Sequence, residues 1–210
     1  MIVKEVKGIE NFENLNSGAI ITCNHFNAFD SFAIQIAYEQ AHQKNRKFYR
    51  VIREGNYTNF PGFYGFLMKH CNTLPLSSNH KTMNNFMKAT NKLLKDGHFV
   101  LVYPEQSMWW NYKKPKPLKK GAYLFAVKSN VPVLPCFITM EDSDILGEDG
   151  FYVQEYTLHI GKPILRNGGD KGYSLFVNQV PDGFFSISHH IVVLLSNFHS
   201  VQVPTKREFV

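Results

Sequence analysis

Short apolar runs alternate with stretches of helical periodicity through most of the chain. Strands buried on both faces of a sheet read as nearly continuous apolar runs, because neither face meets water. Runs of this kind predict strands at Gly18–Cys23 (GAIITC), Lys47–Arg53 (KFYRVIR), Asn72–Leu76, His98–Tyr103 (HFVLVY), Val131–Ile138 and Tyr152–Ile160.

Helical spacing of apolar residues appears between these runs. From about Asp30 to Gln43, the side chains of Phe32, Ala33 and Ile36 fall on one face. Further helices are predicted at Lys81–Lys95, which Gly97 ends, and at Lys119–Ser129, while Pro61–Met68 is predicted as an aromatic-rich turn or short helix. Strands that alternate with helices predict an α/β fold: a single layered domain with a largely parallel or mixed central sheet flanked by helices.

The end of the chain has a different pattern, which predicts a domain over residues 1–165 and a divergent tail over 166–210. Gly183–Thr205 carries no charged residue, but its only continuous apolar run is Ile191–Leu195. That run is too short for a transmembrane helix. An edge strand, a membrane-touching segment and a poorly ordered end all fit the tail.

Composition excludes several classes of protein. Hydrophobic residues make up 44% of the 210 residues and charged residues 19%, which excludes wholesale disorder. Cys23, Cys71 and Cys136 are odd in number and far apart, so we expect no disulfide framework and a reducing compartment. The first twenty residues are too charged for a signal peptide or membrane anchor. Without a C-x-x-C or H-E-x-x-H pattern, no metal site is predicted.

Positive charge is concentrated in one stretch. The net charge is +6, and residues 106–140 contain no acidic residue but hold six lysines, which are Lys113, Lys114, Lys116, Lys119, Lys120 and Lys128. A surface of this charge suits nucleic acid, anionic lipid or a phosphorylated metabolite, and charge by itself leaves all three open.

The strongest candidate for chemistry follows the first buried strand, where residues 24–30 read NHFNAFD. His25 leaves the strand and Asp30 opens the next helix, so the carboxylate can accept from imidazole Nδ1 while the other ring nitrogen faces a cleft at the strand's carboxyl end. A histidine held in this way is a general base, because the carboxylate fixes its tautomer and stabilises the imidazolium. Asp30 as the N-cap of its helix is the structural alternative, and the two roles are compatible.

A second polar group follows the strand HFVLVY, where Tyr103 is followed by Pro104, Glu105, Gln106 and Ser107. Glu105 would lie beside His25 if the two strands are neighbours. A turn, or a pairing of Glu105 with Arg53 or with a lysine, is the alternative.

Four blocks in order, over roughly 70% of the chain from Gly18 to Pro163, resemble the glycerolipid acyltransferase family typified by 1-acylglycerol-3-phosphate acyltransferase. NHFNAFD resembles that family's N-H-x-x-x-x-D block, and REGNYTNFPGFYGFLMKHCNTLPL resembles its second block. YPEQS resembles its F-P-E-G-T block, PLKKGA the helix start that follows, and VPVLP its fourth block.

Two departures from the family pattern concern the acceptor. Gln106, Ser107 and Met108 stand where the third block usually continues Gly-Thr-Arg, and Ser77 and Ser78 follow the second block where an arginine is usual. Those arginines are thought to hold the acceptor's phosphate in the family. Lysines of the basic stretch could replace them as point charges, or the acceptor could carry another polar head such as a sugar.

The resemblance implies transfer of a fatty acyl group from acyl-CoA or acyl-carrier protein to a hydroxyl of a lysophospholipid such as 1-acylglycerol-3-phosphate, in phospholipid biosynthesis, with no cofactor. It implies that residues 1–165 form an acyltransferase domain with His25 and Asp30 as the catalytic pair. The substrate-binding residues that it implies are Asn24, Glu105, Gln106, Ser107, Lys113, Lys119 and Lys120. No nucleophile for an acyl-enzyme is expected, and Cys23 is expected to face the core.

Aromatic residues beside these blocks have two interpretations. They line an acyl-chain groove or dip into the bilayer interface, or else they are buried core. The residues concerned are Phe60, Phe63, Tyr64, Phe66, Leu67, Trp109 and Trp110. Together with the lysines, they predict a cytoplasmic protein associated peripherally with the membrane face.

Two other functions stay open at this point. A non-catalytic lipid- or CoA-binding relative on the same fold is favoured by the missing arginines and opposed by the intact His25 and Asp30. A nucleic-acid-binding module is suggested by the charge, but the chain has no recognisable nucleic-acid motif. We therefore expect an enzyme and no nucleic-acid partner.

Overall fold

The computed structural model describes residues 2–165 except 44, 114, 115, 117, 120 and 149. The strands in this part of the chain are β1 (Ile2–Lys7), β2 (Ala19–Thr22), β3 (Phe48–Arg53), β4 (Thr73–Leu76), β5 (Phe99–Val102), β6 (Val133–Leu146) and β7 (Tyr152–Ile160). The helices are α1 (Glu10–Glu13), α2 (Asp30–Gln40), α3 (Glu54–Thr58), α4 (Gly62–His70), α5 (His80–Lys95) and α6 (Gly121–Ser129).

These strands form one mixed sheet in the order β1-β7-β6-β2-β5-β3-β4. The five strands from β6 to β4 are parallel to their neighbours, whereas β7 is antiparallel to β6. The prediction of an α/β fold with a mixed central sheet flanked by helices is confirmed. Because β2, β5, β3 and β6 run the same way, the loops that leave their carboxyl ends emerge on one edge of the sheet.

The strand β2 lies at the centre of two hydrophobic clusters. Ala19 and Ile21 face the cluster that includes the buried side of α2, and Ile20 faces the cluster of α5 and α6. All four residues of β2 are buried, which explains why the run reads as continuously apolar. Burial on both faces fixes the position from which the following loop, with His25, leaves the sheet.

Most predicted elements occur within a few residues of their expected bounds. The aromatic segment at 61–68 is the helix α4, and β6 continues beyond the predicted Ile138 to Leu146, where it pairs with β7 as a long hairpin. The sequence pattern missed β1, α1 and α3. The strand β1 lies at the sheet edge and is largely exposed, so its polar residues hide the strand signal.

The three cysteines are free. Among the described residues, no helix combines the length and the apolar character that a membrane span requires. The proposed tail at 166–210 lies outside the described residues, as does Lys120.

Candidate active site

The loops after β2 and β5 meet at the carboxyl edge of the sheet, because these two strands are neighbours in the register Ala19↔Phe99 to Thr22↔Val102. The backbone N–H of His25 donates to Glu105 Oε2 at 2.9 Å. The structure therefore brings together the two polar segments that the sequence placed after separate strands.

His25 and Asp30 are in direct contact. Nδ1 of His25 lies 2.8 Å from Asp30 Oδ2, and because a carboxylate only accepts, this contact places the imidazole proton on Nδ1. The Asp30 side chain is 1% exposed and that of His25 is 25% exposed. Nε2 of His25 has no hydrogen-bond partner among the residues that the structure describes. The ring is thus fixed on one side and available to a reacting group on the other.

Asp30 organises the preceding loop rather than its own helix. Oδ2 also accepts from the backbone N–H groups of Phe26 at 3.0 Å and Asn27 at 3.4 Å. The N-cap of α2 is Phe29, and no side chain caps this helix end. The N-cap role weighed for Asp30 is therefore wrong, because its carboxylate is turned back to the loop that carries His25.

Tyr103 is a member of this cluster that sequence reasoning missed. Its ring stacks on the His25 imidazole with centroids 4.0 Å apart, and its hydroxyl donates to Asp30 Oδ1 at 2.5 Å. Burial, followed by the negative charge of Asp30, raises the pKa of Tyr103 well above its ordinary value of 10.0. The hydroxyl therefore stays protonated and remains a donor. The only sequence signal was a tyrosine at the end of an apolar run.

Glu105 forms a buried ion pair with Lys116, with 2.8 Å between Oε2 and Nζ. The two side chains are 1% and 4% exposed, respectively. Of the alternatives weighed for Glu105, pairing with a lysine is the one that occurs, and the partner is a lysine outside the expected substrate-binding set. Acceptor contact by Glu105 stays a prediction. We use the term His25 network for His25, Asp30, Tyr103, Glu105 and Lys116.

The segment after Glu105 folds back onto the loop of His25. The N–H of Trp109 donates to His25 O at 3.4 Å, and the N–H of Asn111 donates to Phe26 O at 3.0 Å. These backbone hydrogen bonds join two loops that are about 80 residues apart in sequence. The conformation of the His25 loop thus depends on the loop after β5.

Two residues beside His25 are held inside the protein. Asn24 donates to Ile138 O at 3.0 Å and accepts from Ile138 N at 2.8 Å, which ties the end of β2 to β6. Cys23 is buried as expected, and burial raises the pKa of its thiol well above the ordinary 9.0. Cys23 is therefore a protonated core residue rather than a nucleophile.

Among the other predicted substrate-binding residues that the structure describes, the four that remain are exposed: Gln106, Ser107, Lys113 and Lys119. Gln106 adopts a left-handed backbone conformation with φ of 56°, and Ser107 donates through its hydroxyl to Glu105 O. Lys113 pairs with Asp142 of the β6 strand at 3.0 Å, so its charge is partly engaged. Lys119 has no acidic partner among the described residues, and its N–H donates to Pro104 O at 2.7 Å.

Eight aromatic side chains are exposed in segments that follow the carboxyl ends of β2, β3 and β5. We call them the aromatic rim: Phe29, Phe32, Phe60, Phe63, Tyr64, Phe66, Trp109 and Trp110. Their exposed fractions lie between 47% and 72%. The buried-core interpretation is therefore wrong for the six of them to which the sequence analysis applied it, which are Phe60, Phe63, Tyr64, Phe66, Trp109 and Trp110. Of that earlier set, Leu67 alone is half-buried.

Comparison with known proteins gives one family and one fold. The model of the family described as Acyltransferase matches residues 4–139, more than half of the chain. The crystal structure of the 1-acyl-sn-glycerophosphate (LPA) acyltransferase PlsC from Thermotoga maritima is similar, with a TM-score of 0.55 and 20% identity. The alignment covers 95% of this chain and 73% of that one, and at this identity the likeness concerns the fold. No curated protein sequence matches the chain.

Proposed function

The chain belongs to the acyltransferase family, and from this premise we propose that it transfers a fatty acyl group from an acyl thioester, acyl-CoA or acyl-carrier protein, to a hydroxyl of a lysophospholipid-type acceptor. The observation that carries the proposal is the contact of His25 Nδ1 with the buried carboxylate of Asp30, which leaves Nε2 without a partner in the described part of the chain. This arrangement is what a general base for a hydroxyl group requires.

In the proposed reaction, Nε2 of His25 removes the proton of the acceptor hydroxyl as its oxygen attacks the thioester carbonyl. The new C–O bond forms, and the C–S bond then breaks as the thiolate leaves. His25 returns the proton to the thiolate, so the side chain ends the cycle in its starting state. Asp30 stabilises the imidazolium between the two proton transfers. No acyl-enzyme is required, which agrees with the buried, protonated state of Cys23.

The aromatic rim supports approach of a lipid to this site. Exposed aromatic side chains favour the headgroup level of a bilayer, and these eight lie in connections that emerge on the same edge as His25. We propose that this edge contacts the membrane surface peripherally and that the acyl chains reach His25 along it. Lysines of the same edge would add attraction to anionic lipid.

Cations for the acceptor's head group are part of the proposal. Lys119 and Arg53 are exposed, lie after β5 and at the end of β3, and have no acidic partner in the described ranges. Lys120 is proposed with them, and Lys113 only in competition with Asp142. The lysines offer point charges, and Arg53 alone of this proposed set offers a bidentate fork, so a glycolipid acceptor is the alternative outcome.

The test is a thiol-release assay with palmitoyl-CoA and palmitoyl-acyl-carrier protein against lysophosphatidate, other lysophospholipids and a glycolipid. We expect acceptor-dependent release that His25→Ala lowers by about a thousandfold or more, since the general base is lost. His42→Asn is the matched control: His42 is exposed beyond the far end of α2, and asparagine tolerates its φ of 47°. Correct folding and CoA binding without transfer to any acceptor would favour the binding-only relative.

A further inference from the structure

Lys116 is buried to an extent that is unusual for a lysine, with 4% of its side chain exposed. Its ammonium donates to His25 O at 2.7 Å and to Ser107 O at 2.6 Å, and it pairs with Glu105 Oε2 at 2.8 Å. The three partners use the three donors of the ammonium group. Lys116 therefore has no donor left for a substrate, and any effect on chemistry passes through the protein.

Glu105 is engaged in the same way. Its Oε2 accepts from the N–H of His25 at 2.9 Å, and its Oε1 faces the N–H of Lys116 at 3.3 Å. The backbone of His25 is consequently held at both ends, with its N–H on Glu105 and its C=O on Lys116. Because Glu105 and Lys116 are paired with each other, the two anchors form one rigid unit.

We infer that Glu105 and Lys116 are positioning residues, which fix the backbone of His25 so that Nδ1 meets Asp30 while Nε2 stays directed at the acceptor. This inference rests on the proposed function. Asp30 alone controls only one ring nitrogen, and rotation of the whole His25 residue would move Nε2 even with that contact kept. A displacement of about 1 Å at a reacting group costs on the order of a hundredfold in rate, so holding the residue at both ends is of direct use to the reaction.

Loop stability by itself gives no reason for an ion pair at this place. Apolar side chains of similar volume stabilise a buried site about as well as a buried ion pair, because both charges lose their hydration. What the pair supplies in addition is directed hydrogen bonds to a chosen backbone group. Here those bonds go to His25.

The test uses the full chain and four variants: Lys116→Met, Lys116→Arg, the double variant Glu105→Gln/Lys116→Met, and Lys92→Met as the matched control. Lys92 lies in the last turn of α5, and its ion pair with Asp96 is exposed. For each variant, kcat, KM for the thioester and the thermal midpoint are measured in the acyl-transfer assay.

We expect Lys116→Met to lower kcat by roughly ten- to a hundredfold with KM changed by less than about threefold. The double variant leaves no unpaired buried charge, so its thermal midpoint recovers while its kcat stays low. Lys116→Arg keeps the charge and donors and regains part of kcat, and Lys92→Met matches the wild type. If kcat recovers together with the thermal midpoint in the double variant, the role is structural and the inference is wrong.

A second measurement does not depend on activity. In protein with 13C-labelled histidine, the His25 ring signal is assigned by its loss in His25→Ala. The signal is expected to shift in the double variant and to stay in place in Lys92→Met. An unchanged His25 signal in the double variant overturns the positioning role even if the wild type transfers no acyl group, whereas a shift without any transfer would contradict the proposed function alone.

Discussion

Two of the lysines in the loop after β5, Lys113 and Lys116, have opposite surroundings although they are only three positions apart. Lys116 belongs to the His25 network, with a 4% exposed side chain and a buried carboxylate as partner. Lys113 lies on the exposed surface, and its partner Asp142 is exposed as well. Sequence composition treats the two as equal members of one basic stretch.

The difference between these regions is one of dielectric environment. Inside the network, an unpaired charge cannot be solvated, so each group depends on its partner. On the exposed surface, water screens every charge, and an ion pair such as that of Lys113 with Asp142 adds little. The network is therefore suited to fixed geometry, whereas exposed side chains keep adaptable contacts.

The largest stability effect is expected when one charge of the buried pair is removed. Glu105→Ala leaves the Lys116 ammonium buried without its carboxylate, so we expect a loss of about 3–5 kcal/mol in the free energy of unfolding. Asp142→Ala removes the carboxylate of the exposed pair with Lys113, and its urea unfolding curve should match that of the wild type. Equal curves for both variants would contradict the contrast between the buried and the exposed pair.

A smaller effect is expected when the Tyr103 hydroxyl is removed. Tyr103→Phe keeps the ring on His25 but deprives Asp30 of a donor, which should cost about 1.5–3 kcal/mol of unfolding free energy at pH 7.

The Tyr103→Phe difference should also depend on pH in a defined direction. Because the pKa of Tyr103 is raised in the folded chain, its contribution is complete below pH 10 and declines above it, as the unfolded chain releases the proton first. The decline is at most about 1.4 kcal/mol per pH unit. Urea unfolding from pH 7 to 11 should therefore show the two proteins converging above pH 10, and a constant difference would contradict the protonated donor.

The smallest stability effect is expected on the aromatic rim. The double variant Phe63→Ser/Trp110→Ser removes two exposed rings, so unfolding should change by less than about 0.5 kcal/mol for each residue. Binding to vesicles of phosphatidylglycerol should fall by about tenfold or more, since each ring that enters the interface contributes about 1–2 kcal/mol. Tyr57→Ser of α3, which changes a half-buried ring outside the rim as defined, is the control, and equal vesicle binding by all three proteins would remove the membrane role of the rim.

The sequence predicted those parts of the site that depend on residues close together in the chain. The run GAIITC reads as a strand because both of its faces are buried, and His25 and Asp30 are close in sequence, so one loop brings them together. The family resemblance rested on these same segments, and the family match confirms it. The N-cap role failed because the side chain of Asp30 had backbone donors available on either side, and local spacing does not choose between them.

The sequence by itself determined the alternation of strands and helices, the apolar centre of the sheet and the pairing of His25 with Asp30. Tertiary structure decided which carboxylate meets which lysine, why Tyr103 rests on His25 and how Asn24 joins β6 across 114 residues. The physical reason is that these contacts arise from strand order and register, which depend on the simultaneous burial of the whole sheet. Periodicity along the chain records whether a residue is buried, but not which distant residue lies beside it.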